Sequence, residues 1–117
     1  EVLNKVGLID RINQRSGDLS YGHQRLLELA MGIAQNPKLL ILDEPTQGLS
    51  DLEIENFKKL IKKISSTVTV LLIEHNMDVV MSIADKITVL HFGEIIAEGD
   101  KQSIQRNPIV QKAYLGD

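Results

Sequence analysis

Two adjacent carboxylates, Asp43 and Glu44, follow directly on the apolar run Leu39-Leu40-Ile41-Leu42, and Pro45 closes the stretch. A short apolar run without polar alternation is what a strand looks like when both its faces are covered, as in the parallel sheet of an α/β protein. The acids therefore stand at the carboxyl end of a strand, the edge at which open α/β sheets bind ligands. His75 follows a second such run, Val68-Thr69-Val70-Leu71-Leu72-Ile73, and a right-handed crossover brings it to the same edge. A third candidate is Ser20-Tyr21-Gly22, at the start of a helical pattern. Ser20 can cap that helix, Gly22 keeps side-chain bulk away from the backbone, and free N–H groups at a helix start attract anions. Read singly, each has a plainer account: a solvated acidic turn, a hydrogen-bonded structural histidine, an ordinary N-cap with a loop glycine.

The elements that must hold these groups follow from periodicity. Val2, Leu3, Val6 and Ile9 give a short helical stripe loosened at Gly7, and residues 13 to 18 form a polar turn-rich linker. Leu26, Leu29, Ala30, Ile33 and Ala34 fall on one face of a helix that Asn36-Pro37 stops. Beyond Pro45, Thr46-Gln47-Gly48-Leu49-Ser50-Asp51 leads into a second amphipathic helix with Ile54, Phe57, Leu60, Ile61 and Ile64 inward. Ser50 followed by Glu53 is a capping-box pattern. Lys58, Lys59, Lys62 and Lys63 form the solvated face, with Glu55 spaced to attract Lys59. After His75 the pattern predicts a helix over 77–84, a strand over 86–91, a tight turn at Phe92-Gly93-Glu94 and a strand over 95–98, the last two pairing as an antiparallel hairpin. Gly99-Asp100 opens a final helical segment, broken at Asn107-Pro108 and continued through Val110, Ala113 and Tyr114. The fold class is α/β.

Composition sets the outer limits. At 117 residues, 43% apolar, the chain is one domain or part of one, with a single core that aliphatic side chains fill because only 3% are aromatic. A net charge of −3 with mixed signs gives no broad basic surface, so no nucleic-acid partner is expected. Without cysteine there is neither a disulfide framework nor a thiolate metal site, which suits a reducing compartment. His23 and His91 show neither metal-ligand spacing nor an acid partner. The longest apolar run is far short of a membrane span and no signal-peptide pattern opens the chain, so a soluble cytoplasmic protein is the default. The first residue is Glu1, which reads as a piece of something longer.

Leu19-Ser20-Tyr21-Gly22-His23-Gln24 resembles a variant of the signature motif of ABC transporter ATPases. Leu39 to Pro45 resembles their Walker B strand, Gly48-Leu49-Ser50-Asp51 their D-loop, and His75 their switch histidine. Four motifs in the family's order make a specific match over essentially the whole chain. Tyr21 inside the signature, the Leu26 to Ala30 stretch and the ending Asn107 to Gly116 are similar to ATPases of branched-chain amino-acid and urea importers. The lipopolysaccharide-export ATPase has a similar ending. The resemblance implies the parallel-sheet core of a P-loop NTPase of ABC type, with ATP and Mg²⁺ as cofactors. It assigns Asp43 to the hydrated Mg²⁺, Glu44 to the attacking water, and His75 to the γ-phosphate. Ser20, Tyr21, Gly22, His23 and Gln24 would meet the nucleotide of a second nucleotide-binding subunit, and Gly48, Leu49, Ser50 and Asp51 are likewise assigned to nucleotide binding. The chain departs from the family in carrying Tyr21 where glycine is usual, His23 where glutamine or glutamate is usual, and Ser50 where the D-loop aspartate is usual.

No G-x-x-x-x-G-K-[ST] occurs in the sequence. Set against the family's length, that implies the C-terminal half of a nucleotide-binding domain. Residues 1–36 would end its helical, signature-bearing region, and residues 37–117 would hold the Walker B strand, D-loop, switch histidine and C-terminal part. On this reading the full-length parent is an ATPase energising an ABC importer of branched-chain amino acids or a similar small solute. Its permease subunits would hold it peripherally at the inner face of the cell membrane. A lipid or lipopolysaccharide exporter, a non-transport ABC ATPase and an inactive interaction fragment are the alternatives. Without the P-loop the chain alone should neither bind ATP tightly nor hydrolyse it, and its sheet should present an uncovered apolar edge that invites self-association.

Overall fold

The computed structural model describes residues 1–115; Gly116, and with it the end of the importer-like C-terminal stretch, lies outside the described residues. The chain divides into two compact units at Asn76/Met77.

In the first unit, helix α1 (Val2–Lys5) leads through two 3₁₀ turns, Ile9–Arg11 and Ser16–Asp18, to helix α2 (Tyr21–Ala34). Strand β1 (Leu39–Asp43), helix α3 (Asp51–Ile64) and strand β2 (Thr69–Ile73) follow. The strands pair in parallel, in register from Leu39 opposite Thr69 to Asp43 opposite Ile73. Helix α2 stops where Asn36 takes a positive φ of 50° ahead of Pro37. It buries Leu29, Ala30 and Ile33, whereas Ala34, which the periodicity places inward, is exposed in its last turn. Helix α3 buries Phe57, Ile61 and Ile64 and starts on a complete capping box: Ser50 Oγ accepts from the Glu53 N–H and Glu53 Oε1 accepts from the Ser50 N–H, at 3.2 and 3.1 Å. Glu55 pairs with Lys58 at 2.8 Å rather than with Lys59.

The strands are not covered on both faces. Leu40 is buried and touches Gly32 of α2, while Leu39, Ile41, Leu71 and Ile73 are all roughly half exposed. Alternate strand side chains point to opposite faces, and this unit covers one face only. β1 and β2 form a two-stranded sheet, so an open edge remains on each strand, and the exposed apolar side chains add an uncovered face to the uncovered edge expected.

The second unit runs helix α4 (Met77–Ile83), strands β3 (Ile87–His91) and β4 (Glu94–Gly99), helices α5 (Lys101–Arg106) and α6 (Pro108–Val110), and a π-turn over Gln111–Leu115. β3 and β4 form the antiparallel hairpin, turning through Phe92 and Gly93 at positive φ, with a bulge between Val89 and Leu90. Ile87, Val89, Ile104 and Val110 make its core. Asp100 caps α5 by accepting from Ser103 N–H at 2.8 Å, and Asn107 caps α6, with Pro108 at its first position. Among the described residues no helix is long and apolar enough to cross a membrane.

Candidate functional site

Both groupings of candidate residues lie in the first unit. At the strand ends, the Glu44 N–H donates to Ile73 C=O at 2.7 Å, carrying the parallel ladder one residue past Asp43. Glu44 then turns away with φ of 48°, a left-handed conformation uncommon outside glycine. That turn sends its carboxylate toward β2, where Oε1 lies 3.0 Å from His75 Nδ1. The Glu44 side chain is 42% exposed and that of His75 64%, so the pair is open to a ligand. With Nδ1–H donating to the carboxylate, the far ring nitrogen is left to face outward, an assignment made from the hydrogen bond. Such a pair can hold a water molecule and orient an oxyanion next to it.

Asp43 is exposed and borders a cleft that Arg25, Leu42, Pro45 and Phe57 also line. Among the described residues no group of three or more carboxylates and imidazoles is placed to hold a metal ion. A single carboxylate suits Mg²⁺ only where waters and nucleotide phosphates supply the other ligands. That matches the donor set present.

Sequence reasoning passed over Glu74 and Thr46. The Glu74 side chain is 1% exposed, and Thr46, in the loop after β1, is buried as well. Glu74 Oε2 accepts from Thr46 Oγ1 at 2.7 Å, and its Oε1 accepts from the His75 N–H at 3.2 Å. The available signal was a carboxylate closing an apolar strand beside a candidate histidine; nothing in the pattern showed that it points inward.

At the helix start, Ser20 Oγ accepts from the His23 N–H at 3.2 Å and is the N-cap of α2. Gln24 reaches back to Leu19 C=O at 3.2 Å. Tyr21 Oη donates to Gln47 C=O at 3.1 Å and accepts from Arg25 Nε at 3.0 Å, with the Arg25 guanidinium 5.2 Å from its ring centre. Burial works to lower the Arg25 pKa, but the bonds to Tyr21 and Glu28 outweigh it and hold the guanidinium above its ordinary value. Gly22 is buried, and the place a Cβ would take is filled by the Glu53 carboxylate. The glycine expected to leave the backbone open thus makes room on that side for a carboxylate of its own chain. The Ser50 N–H, then the Ser50 hydroxyl and nearby His23, keep the Glu53 carboxyl below its ordinary value. Gly48, at φ of 81°, lies against the Tyr21 ring, so its lack of a side chain answers both a backbone and a packing demand. Leu49 is half-buried, its N–H donating to Thr46 C=O at 3.2 Å, and Asp51 is exposed in the first turn of α3.

Comparison with known proteins decides the lineage. The family described as ABC transporter matches residues 1–47, and that described as branched-chain amino acid ATP-binding cassette transporter matches residues 94–117. The chain belongs to the ABC transporter ATP-binding family. It is 47% identical over 117 residues to the high-affinity branched-chain amino acid transport ATP-binding protein BraF of Pseudomonas aeruginosa, with 98% of this chain and 46% of BraF covered. It is 40% identical, with the same coverage, to LivG of Escherichia coli strain K12, which carries the same description. Among solved structures, the ADP conformation of an ATP-binding cassette of an ABC transporter superposes with a TM-score of 0.87 at 28% identity, covering 99% of this chain and 48% of that one. A nucleotide-free ATP-binding cassette gives a TM-score of 0.87 at 27% identity, with the same coverage. The fold is that of the ABC ATPase domain, and the chain spans about half the length of the curated relatives it matches.

Proposed function

We propose that this chain is the hydrolytic part of an ABC importer's ATP-binding subunit, completed by a P-loop outside these 117 residues. The observation that carries the reading is the Glu44–His75 hydrogen bond at the strand ends, in a chain of this family. Phosphoryl transfer to water asks the protein mainly for positioning and charge compensation. Glu44 orients the attacking water and takes its proton, and His75 steadies that water beside the γ-phosphate. Asp43 would hold Mg²⁺, and the ion, when bound, would supply positive charge to offset that of the phosphates. Ser20, Tyr21, Gly22, His23 and Gln24, with Gly48, Leu49, Ser50 and Asp51, face a nucleotide held by a second subunit. The names of BraF and LivG support branched-chain amino acids as the solute class. Permease subunits would then hold the protein at the inner face of the membrane.

The test is Mg-ATP turnover by the P-loop-bearing subunit. Wild type should hydrolyse ATP, and Glu44→Gln should lose roughly 10²-fold or more in kcat while nucleotide binding persists. Undiminished turnover in that variant overturns the assignment. The 117-residue chain alone should show no tight Mg-ATP binding by calorimetry, and micromolar affinity there would contradict the missing-P-loop argument.

A further inference from the structure

We propose that Glu74 is a positioning residue which, with Thr46, clamps the turn carrying Glu44 to the backbone carrying His75. The proposal rests on the hydrolytic reading of the Glu44–His75 pair. Its basis is a carboxylate that is 1% exposed yet saturated with donors. One oxygen accepts from Thr46 Oγ1 at 2.7 Å and Thr46 N–H at 3.4 Å, the other from His75 N–H at 3.2 Å and Asn76 N–H at 3.4 Å. One side of the carboxylate thus grips the loop leaving β1 and the other the chain leaving β2. A buried carboxylate is costly unless so bonded, and an apolar residue would pack the end of an apolar strand at no such cost. What the clamp secures is next to it: Glu44, two residues before Thr46, sits at φ of 48°. A non-glycine residue stays in that conformation only where its surroundings over-determine it. Without the clamp, the Glu44 turn relaxes and the carboxylate leaves the imidazole.

The test uses Glu74→Gln, Thr46→Val and Thr46→Ser. Glutamine keeps the shape but turns a donor toward one set of donors, valine removes only the hydroxyl, and serine restores it. In the P-loop-bearing subunit, Glu74→Gln and Thr46→Val should lower kcat by roughly tenfold or more, up to the 10²-fold typical of a small misplacement. The KM for Mg-ATP should stay within about twofold and Thr46→Ser should stay near wild type. In the same P-loop-bearing subunit, nitrogen NMR of the His75 ring at fixed pH should show the Nδ1–H form in wild type and Thr46→Ser. Glu74→Gln and Thr46→Val should lose it while the amides of the β1–β2 ladder keep their exchange protection. Unchanged kcat and an unchanged ring signal overturn the proposal, and so does a ring signal lost only together with ladder protection, which marks a purely structural role. A wild-type subunit that does not turn over ATP overturns the hydrolytic reading instead, and the ring comparison still decides whether Glu74 positions His75.

Discussion

The strand ends and the start of α2 both gather polar residues, but by opposite means. At the helix start most bonds close within a few residues: Ser20 with His23, Ser50 with Glu53, Arg25 with Tyr21. The backbone there is relaxed apart from Gly48, which as glycine bears a positive φ without cost. At the strand ends Glu44 meets His75, and Thr46 meets Glu74, across two strands joined by a whole helix. There a glutamate, not a glycine, takes the left-handed turn. Local capping yields relaxed, self-satisfied structure; convergence from distant segments accepts strain to bring a carboxylate and an imidazole into reach.

That contrast can be broken from either side. Ser50→Ala should carry the largest effect, about 1 kcal/mol of stability lost with the capping box. Urea unfolding reads it, and the Glu44–His75 pair should survive. An equal loss from both regions would show that they are not independent. Glu44→Gly should act with the opposite sign, gaining about 0.5 kcal/mol as strain is relieved, less than the left-handed penalty itself because glycine also loosens the unfolded chain. A destabilised glycine variant would mean that the turn stores no strain. The smallest effect is that of pH. The Glu53 carboxyl is lowered from its ordinary 4.5 by the Ser50 N–H and hydroxyl. Its contribution is therefore present above about 4.5 and lost as pH falls through the lower folded value. Urea midpoints at about pH 6 and about pH 3 should drop more in wild type than in Glu53→Gln, and parallel declines would remove Glu53 as the cause.

What was legible in the sequence divides along the same line. The caps at Ser20 and Ser50 depend on neighbours three residues away, and the paired strands on unbroken apolar runs, so pattern alone places them. The hairpin and the break at Asn107-Pro108 are equally local. The turn at Glu44 and the burial of Glu74 are not, because each exists only through a partner some thirty residues away, and single residues carry no mark of it. Periodicity also overstated what this unit covers: it reads an apolar face, and Leu39 and Ile41 have one that nothing here packs. For the lysines, spacing allowed either partner, and geometry gave Glu55 to Lys58.

The parallel register of β1 and β2 has a consequence for how the chain comes into being. A parallel pair has no hairpin shortcut, so α3 must be made and folded back before Leu39 can find Thr69. During synthesis Ser20 gains its cap as soon as His23 is added. Glu44, by contrast, waits through some thirty further additions for its imidazole, a matter of seconds at about 5–20 residues per second. The corner that joins Glu44 to His75 is thus among the last parts of its unit to take shape on the ribosome, long after the helix beside it is complete.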